Sequence, residues 1–308
     1  MILVLGSSKD SVFPAMNQCL RESGHPFIAI DEDNPSKHSV KREASNGQSV
    51  YRIVGDGCTG ETPVNAIFVR HAVARTLDTK QLQEMGHLQG GLNYMLRVAN
   101  CPILNPPANA LSNYSKAYQV ALLAEAGFDV PRSLVTNIPE EGRAFWEECK
   151  REVIFKGVSN MTTLAQLLTE DKLSRLDLLP CSPTLFQEYV AGDDYRVHVI
   201  GNEAFVTRVV AENVDYRRTS IINKEPILVE AGELDSDTVH RCIAFTHSLG
   251  LIASGMDFKK QTSGRLVALE LNPYPQFTFY DRLSGQPITR AIVEYLIQNQ
   301  AEETNVFA

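Results

Sequence analysis

The sequence predicts an α/β protein that continues into α+β lobes, and three observations carry that reading. The opening run "ILVLG" (2–6) is apolar and closed by Gly-Ser-Ser; a helical pattern follows to about Ser23, and "PFIAID" is a second apolar run with an acidic end. Strand, helix, strand in that order opens a parallel sheet. Later, "TLFQEYVAGDDYRVHVIGNEAFVTRVV" reads as paired strands joined by a Gly-Asn turn at 201 and 202, and "GMDFKKQTSGRLVALELN" as a hairpin. With 308 residues and 44% hydrophobic content, the chain can bury two or three lobes.

Taken in order, "DEDNPSKHSVKREASNGQS" (31–49) reads as a polar loop, "AIFVR" (66–70) as a further strand, and roughly Lys80 to Val98 as a helix. "CPILNPPANALSN" is rich in Pro and Asn and marks a lobe boundary. In "SKAYQVALLAEAGFDVP", Tyr118, Leu122, Leu123 and Ala126 share a helical face and Gly127 supplies the stop. "REVIFKGV" carries Lys156 out of an apolar strand, and a helix near 287–298 closes the fold.

Composition removes several function classes. A net charge of −8 disfavours general nucleic-acid binding, which needs a basic surface to displace counterions from phosphates. Neither a basic leader nor a membrane span is visible, so a cytoplasmic address is the expectation. Six cysteines (Cys19, Cys58, Cys101, Cys149, Cys181, Cys242) lack CxxC spacing, which argues against zinc and a disulfide framework. No GxGxxG follows the first strand and no GxxxxGK[ST] occurs, against a dinucleotide oxidoreductase and a P-loop kinase.

The chemistry concentrates in a few places. The C-terminal hairpin is expected as a strand ending at Gly264 and another running through Leu266, Ala268, Glu270 and Asn272, with Asp257 alongside. Residues two apart share a strand face. Two carboxylates and an amide oxygen on a mostly apolar surface are costly unless a cation or donors satisfy them, and hard oxygens suit magnesium. The same spacing also fits an Asp and a Glu on the solvent face of an edge hairpin. Lys116 opens a helix and Lys156 ends a strand; each fits either a phosphate contact or a surface lysine. Glu188, Tyr189 and Val190 end an apolar strand whose backbone can pair with an adenine edge, and Asp194 and Arg196 follow, unless this is a hairpin with a salt bridge. Arg208, Arg217 and Arg218 form either a solvated loop or an anion clamp. His198 shares a strand face with Arg196, so it enters the site or is a satisfied strand histidine. Trp146, Phe277, Phe279 and Tyr280 read as core, with Phe277 placed to shape an acceptor pocket.

In this order, from Asn105 to Leu296, the segments resemble the ATP-grasp superfamily of carboxylate-amine ligases. The resemblance is to the branch holding the ribosomal-protein glutamate ligase and the microviridin-type peptide-cyclising ligases. "LNPPANALSNYSKAYQVALLAEAGFDVPRSLVTNIP" is similar to that branch's Asn-Pro, Lys, Gln, Ala-Gly-Phe, Val-Pro, Thr-Asn-x-Pro segment, and "LELNPYPQFTFYDRLSGQPITRAIVEYL" to its metal-binding strand and following helix. The resemblance implies ATP with Mg2+, Mn2+ being an alternative. It implies that Lys116 and Lys156 contact the nucleotide, that Glu188, Tyr189 and Val190 form the adenine hinge, and that Asp194 approaches the ribose. Arg217 and Arg218 stand at the phosphates, and Asp257, Glu270 and Asn272 ligate the metal; for the chemistry that follows, Arg196 is the candidate for stabilising the transferred phosphoryl group or the tetrahedral intermediate. Three lobes follow: an N-terminal α/β domain (1–105), a central lid lobe (106–190) and a C-terminal metal-bearing lobe (191–308). After Lys156, "GVSNMTTLAQLL" lacks the Gly-rich loop of many relatives, leaving Ser159, Asn160 and Thr162 as substitute donors.

The implied reaction activates a carboxylate as an acyl phosphate for attack by an amine or hydroxyl. A ribosomal precursor peptide is the favoured substrate, although His71 stands where those relatives carry a second arginine. A ligase of free amino acids is the alternative, and a nucleotide-binding regulatory protein without turnover is the rival of another class. A homodimer is expected by resemblance.

Overall fold

The computed structural model describes residues 1–45, 48–55, 58–60, 64–70, 79–158, 165–210 and 227–301. The first lobe runs β1 (Ile2–Gly6), α1 (Val12–Ser23), β2 (Phe27–Asp31), β3 (Ser39–Ser45), β4 (Gln48–Gly55), β5 (Cys58–Gly60), β6 (Ala66–Val69), α2 (Thr79–Val98) and β7 (Ile103–Leu104). Its main sheet is parallel in the order β2-β1-β6-β7, with Ile2 opposite both Phe27 and Ala66. Strands buried on both faces become continuous apolar runs, which is why "ILVLG" was readable. Within the expected polar loop (31–49) the structure differs: β3 and β4 pair as antiparallel strands, with Ser45 opposite Gln48. The overlooked signal is Asn46-Gly47 in the sequence, a dipeptide favoured where hairpins turn.

The middle of the chain holds α3 (Lys116–Glu125), β8 (Ser133–Thr136), α4 (Pro139–Glu148), β9 (Val153–Gly157), β10 (Gln166–Leu167) and β11 (Thr184–Glu188). These strands order as β10-β9-β11-β8, all antiparallel. Phe145, Trp146, Val153, Leu176 and Phe186 form the core beneath them. The C-terminal lobe runs β12 (Asp193–Ile200), β13 (Glu203–Val210), β14 (Leu228–Ala231), α5 (Ser236–Ser248), β15 (Ala253–Lys260), β16 (Leu266–Asn272), α6 (Thr278–Ser284) and α7 (Ile288–Gln298). Its sheet is antiparallel in the order β14-β13-β12-β15-β16. Gly201, at φ 55°, makes the expected turn between β12 and β13.

One face of that sheet carries Tyr195, Val197, Val199, Met256, Phe258, Ala268 and Leu271, which pack with Phe245 of α5 and with Leu123 and Phe128. Helix α3 therefore sits on the C-terminal sheet. Tyr118, expected to share a face with Leu122, Leu123 and Ala126, is exposed, whereas Leu123 is buried in this core with Leu122 and Ala126 packed against it. A second core joins the two ends of the chain: Ile2, Val4 and Met16 pack with Phe277, Tyr280, Ile292 and Leu296. No helix among the described residues is long and apolar enough to cross a membrane.

Candidate active site

Alternation on β12 sends Tyr195, Val197 and Val199 into the core, so Asp194, Arg196 and His198 lie on the opposite face. On β15, Met256 and Phe258 go inward and Gly255, Asp257 and Lys259 share the other face. Register sets these residues side by side: Asp194 opposite Lys259, Arg196 opposite Asp257, His198 opposite Gly255.

The hairpin departs from the expected single-face run. Strand β15 ends at Lys260, and Gly264 lies in the turn at φ 87°. On β16, Asp257 faces Glu270 while Phe258 faces Ala268, so Leu269 is an extra residue in a β-bulge. A bulge shifts the alternation by one position. Leu266, Ala268 and Leu271 consequently pack inward, and Glu270 and Asn272 join Asp257 on the outer face.

Cations meet these carboxylates. Arg196 Nη1 lies 2.6 Å from Asp257 Oδ1 with the arginine side chain only 7% exposed, and β9 delivers Lys156 Nζ to 4.0 Å from Glu270 Oε2. Lys259 donates to Asp194 Oδ2 at 2.9 Å and to the Gly192 carbonyl at 3.1 Å. Arg196 is seated tightly. A Cβ on Gly255 would come within 2.5 Å of its Cζ, so only glycine leaves room for the guanidinium. Its Cζ also lies 5.8 Å from the Tyr280 ring centroid. His198 completes the packing, with its ring centroid 4.8 Å from that of Tyr280 and Nε2 3.3 Å from the Gln276 carbonyl and 3.5 Å from Arg196 Nε. Burial, reinforced by the Arg196 charge, holds its pKa well below the usual histidine value, so the ring is neutral.

Asn272 Oδ1 accepts the Tyr274 N–H at 2.9 Å. Between the two oxygen donors, Gln119 Nε2 of α3 donates to the Leu271 carbonyl at 2.6 Å. Asn105 links both strand ends: Nδ2 donates to the Ala253 and Pro273 carbonyls at 2.6 and 2.5 Å, and Oδ1 accepts from Ile252 and Ala253. These buried amides hold the hairpin where its outer oxygens converge.

The other expected residues are placed as follows. Lys116 is the first residue of α3, whose N-cap Ser115 accepts from the Tyr118 N–H at 3.3 Å. Glu188 ends β11; its N–H and that of Tyr189 are spent on the Arg132 and Glu152 carbonyls, and Val190 is buried. Arg217, Arg218, Ser159, Asn160, Thr162 and His71 lie outside the described residues. The sequence reading missed Gly255 and Lys259, and it matched Gln119 only as part of a motif without a role; Lys259, two positions after Asp257, was findable by the same alternation.

Among the described residues no three His, Cys, Asp or Glu side chains gather as a metal cage. Two carboxylates and one amide oxygen from adjacent strands form a hard, incomplete donor set, which fits a magnesium ion that takes its other ligands from water and phosphate. A carboxylate has about four lone-pair sites, so the Arg196 contact does not exhaust Asp257.

Residues 113–296, more than half of the chain, match the RimK-like ATP-grasp domain family. No curated protein sequence matches the chain. Among solved structures it is similar to macrocyclase MdnC bound with precursor peptide MdnA from Microcystis aeruginosa MRC, at 19% identity over 97% of this chain and 99% of that one, with a TM-score of 0.81. It is also similar to a Chryseobacterium gregarium RiPP-associated ATP-grasp ligase in complex with ADP and a leader and core peptide, at 20% identity, 100% and 99% coverage and a TM-score of 0.81. ATP-grasp ligase PsnB, complexed with minimal precursor, Mg and ADP, aligns at 27% identity over 97% of this chain and 96% of that one, with a TM-score of 0.78. The family match and the converging carboxylates, amide and lysine agree: the chain belongs to the RimK-like ATP-grasp family and is an ATP-dependent ligase.

Proposed function

We propose that this ligase activates an Asp or Glu side chain of a precursor peptide as an acyl phosphate, for attack by an amine or hydroxyl of the same peptide, releasing ADP and phosphate. The observation that carries the reading is the single sheet face on which Asp257, Glu270 and Asn272 converge, with Arg196 2.6 Å from Asp257 and Lys156 4.0 Å from Glu270. A peptide as the substrate is supported by likeness along nearly the whole chain to PsnB, whose structure holds its minimal precursor.

When bound, Mg2+ supplies charge neutralisation on the phosphates. Asp257, Glu270 and Asn272 hold it, and Lys116 and Lys156 bind phosphate oxygens. The Glu188 carbonyl and the Val190 N–H present the adenine-recognising edge, since the Tyr189 N–H between them is spent on the Glu152 carbonyl. Asp194, steadied by Lys259, stands toward the ribose. Arg196 stabilises the moving phosphoryl group, and Arg217 and Arg218 are assigned to the phosphates. We assign the lobes as 1–105, 106–190 and 191–308, with α3 seated on the third, and the lid sheet keeps water from the acyl phosphate. A homodimer in the cytoplasm is the assembly and address that go with this reading.

The test is ADP release with peptides that carry Asp or Glu together with Lys, Ser or Thr. Turnover with such a peptide and a product lighter by one water per bond is expected. ADP release with free amino acids, and none with any such peptide, would overturn it.

A further inference from the structure

Arg70 stands at the end of β6 in the N-terminal sheet, far in sequence from the metal strand, yet it grips the segment directly after that strand. Its Nε donates to Asp10 Oδ2 at 2.6 Å, and Nη1 donates to the carbonyls of Tyr274 and Pro275 at 2.6 and 2.9 Å. Tyr274, whose carbonyl Arg70 holds, donates its own N–H, in the preceding peptide group, to Asn272 Oδ1 at 2.9 Å. Asp10 also accepts the Val12 N–H at 3.0 Å, which anchors this fork to the start of α1. The arginine side chain is 17% exposed, so the contact is largely shielded from solvent.

From this unbroken path we propose that Arg70 is a positioning residue, through which the N-terminal lobe sets the direction of the Asn272 amide oxygen toward the metal. The proposal rests on the reading of Asn272 as a metal ligand. A planar guanidinium can serve a carboxylate with one edge and two carbonyls with another; an ammonium cannot keep that geometry. Groups that orient a metal ligand typically carry about 10- to 100-fold in metal affinity.

Binding of Mn2+ to the protein–ADP complex, read from the paramagnetic resonance of free Mn2+, gives a readout independent of turnover. Arg70→Lys is expected to weaken Mn2+ binding about tenfold, with ADP binding in the absence of divalent ions unchanged. Asn272→Ala should weaken Mn2+ binding by itself, and Arg70→Lys added to Asn272→Ala should cause no further loss, because residues on one path are not additive. Should Arg70→Lys fail to fold, Asp10→Asn keeps an oxygen acceptor for the Val12 N–H while loosening the fork and should shift Mn2+ binding in the same direction. Unchanged Mn2+ affinity in the Arg70 or Asp10 variant, or an equal loss of affinity in the Asn272→Ala background, overturns the positioning role. An Asn272→Ala protein with unchanged Mn2+ affinity instead overturns the metal assignment, and the role of Arg70 with it.

Discussion

The N-terminal and C-terminal sheets both present carboxylates at functional-looking positions, and they engage them differently. In the first lobe, Asp31 Oδ1 accepts the N–H groups of Ser8 and Asp33 at 3.0 and 3.1 Å, Oδ2 accepts from Asn34, and Asp33 accepts the Ser7 hydroxyl and the Lys9 N–H. Burial opposes the charge on Asp31, but the hydrogen bonds from Ser8, Asn34 and Asp33 outweigh it and hold the carboxyl below its usual range. The turn after β1 is where many parallel α/β sheets receive a phosphate. Here the protein's own carboxylates already take its N–H groups. In the C-terminal lobe, Asp257, Glu270 and Asp194 face long cationic side chains from other strands. Backbone donors cannot leave, whereas a lysine or arginine can share a carboxylate with an incoming cation. Partner type sets Asp31 apart from Asp257 and Glu270, although the first lobe also has carboxylates that meet cations, Asp33 with Lys9 at 3.6 Å and Asp10 with Arg70 at 2.6 Å.

The sharpest way to break this contrast is Glu270→Gln, which removes a charge from the proposed metal face at a half-buried position outside the core. ATP turnover should fall at least about a thousandfold, with the thermal midpoint nearly unchanged; near-normal turnover refutes the metal face. Next in size is Gly255→Ala. The new methyl displaces the Arg196 guanidinium, and loss of one aligned electrostatic contact is worth about 100-fold in kcat, so kcat measured at saturating ATP should drop while nucleotide binding persists. Asp31→Ala should do the reverse, costing about 1–3 kcal/mol in urea unfolding and leaving turnover within about twofold, since surrounding structure and not chemistry uses that carboxylate. A large turnover loss there would erase the distinction between the two sheets.

The smallest effect concerns pH. His198 is neutral in the folded state with its pKa depressed, so its stabilising contribution is complete above the unfolded value near 6.5 and is lost as pH falls toward the folded value. Each pH unit in that window costs up to about 1.4 kcal/mol. His198→Asn should flatten the acid decline of the thermal midpoint; an identical decline in the variant would show that another group causes it.

Much of this site was legible because strand alternation is local. Asp257, Glu270 and Asn272 could be placed on one hairpin, and Lys156 at a strand end, from spacing and resemblance alone. The bulge at Leu269 was not, since Leu266, Ala268, Glu270 and Asn272 satisfy a simple period of two, and only the core contact of Leu271 breaks it. Gly255 escaped notice because its value lies in the space it leaves for Arg196, a residue remote in sequence. The hairpin of β3 and β4 was hidden by its charged composition. Arg70 was read only as the last residue of the "AIFVR" strand, because besides Asp10 its partners are carbonyls about 200 positions away, and backbone acceptors leave no trace in side-chain patterns.

The most direct measurement is a crystal structure with ADP and Mg2+ bound. Side-chain oxygens of Asp257, Glu270 and Asn272 about 2.0–2.1 Å from one cation, with phosphate oxygens completing its shell, is the expected result. A cation held by phosphate and water alone, with those three side chains turned away, would contradict it.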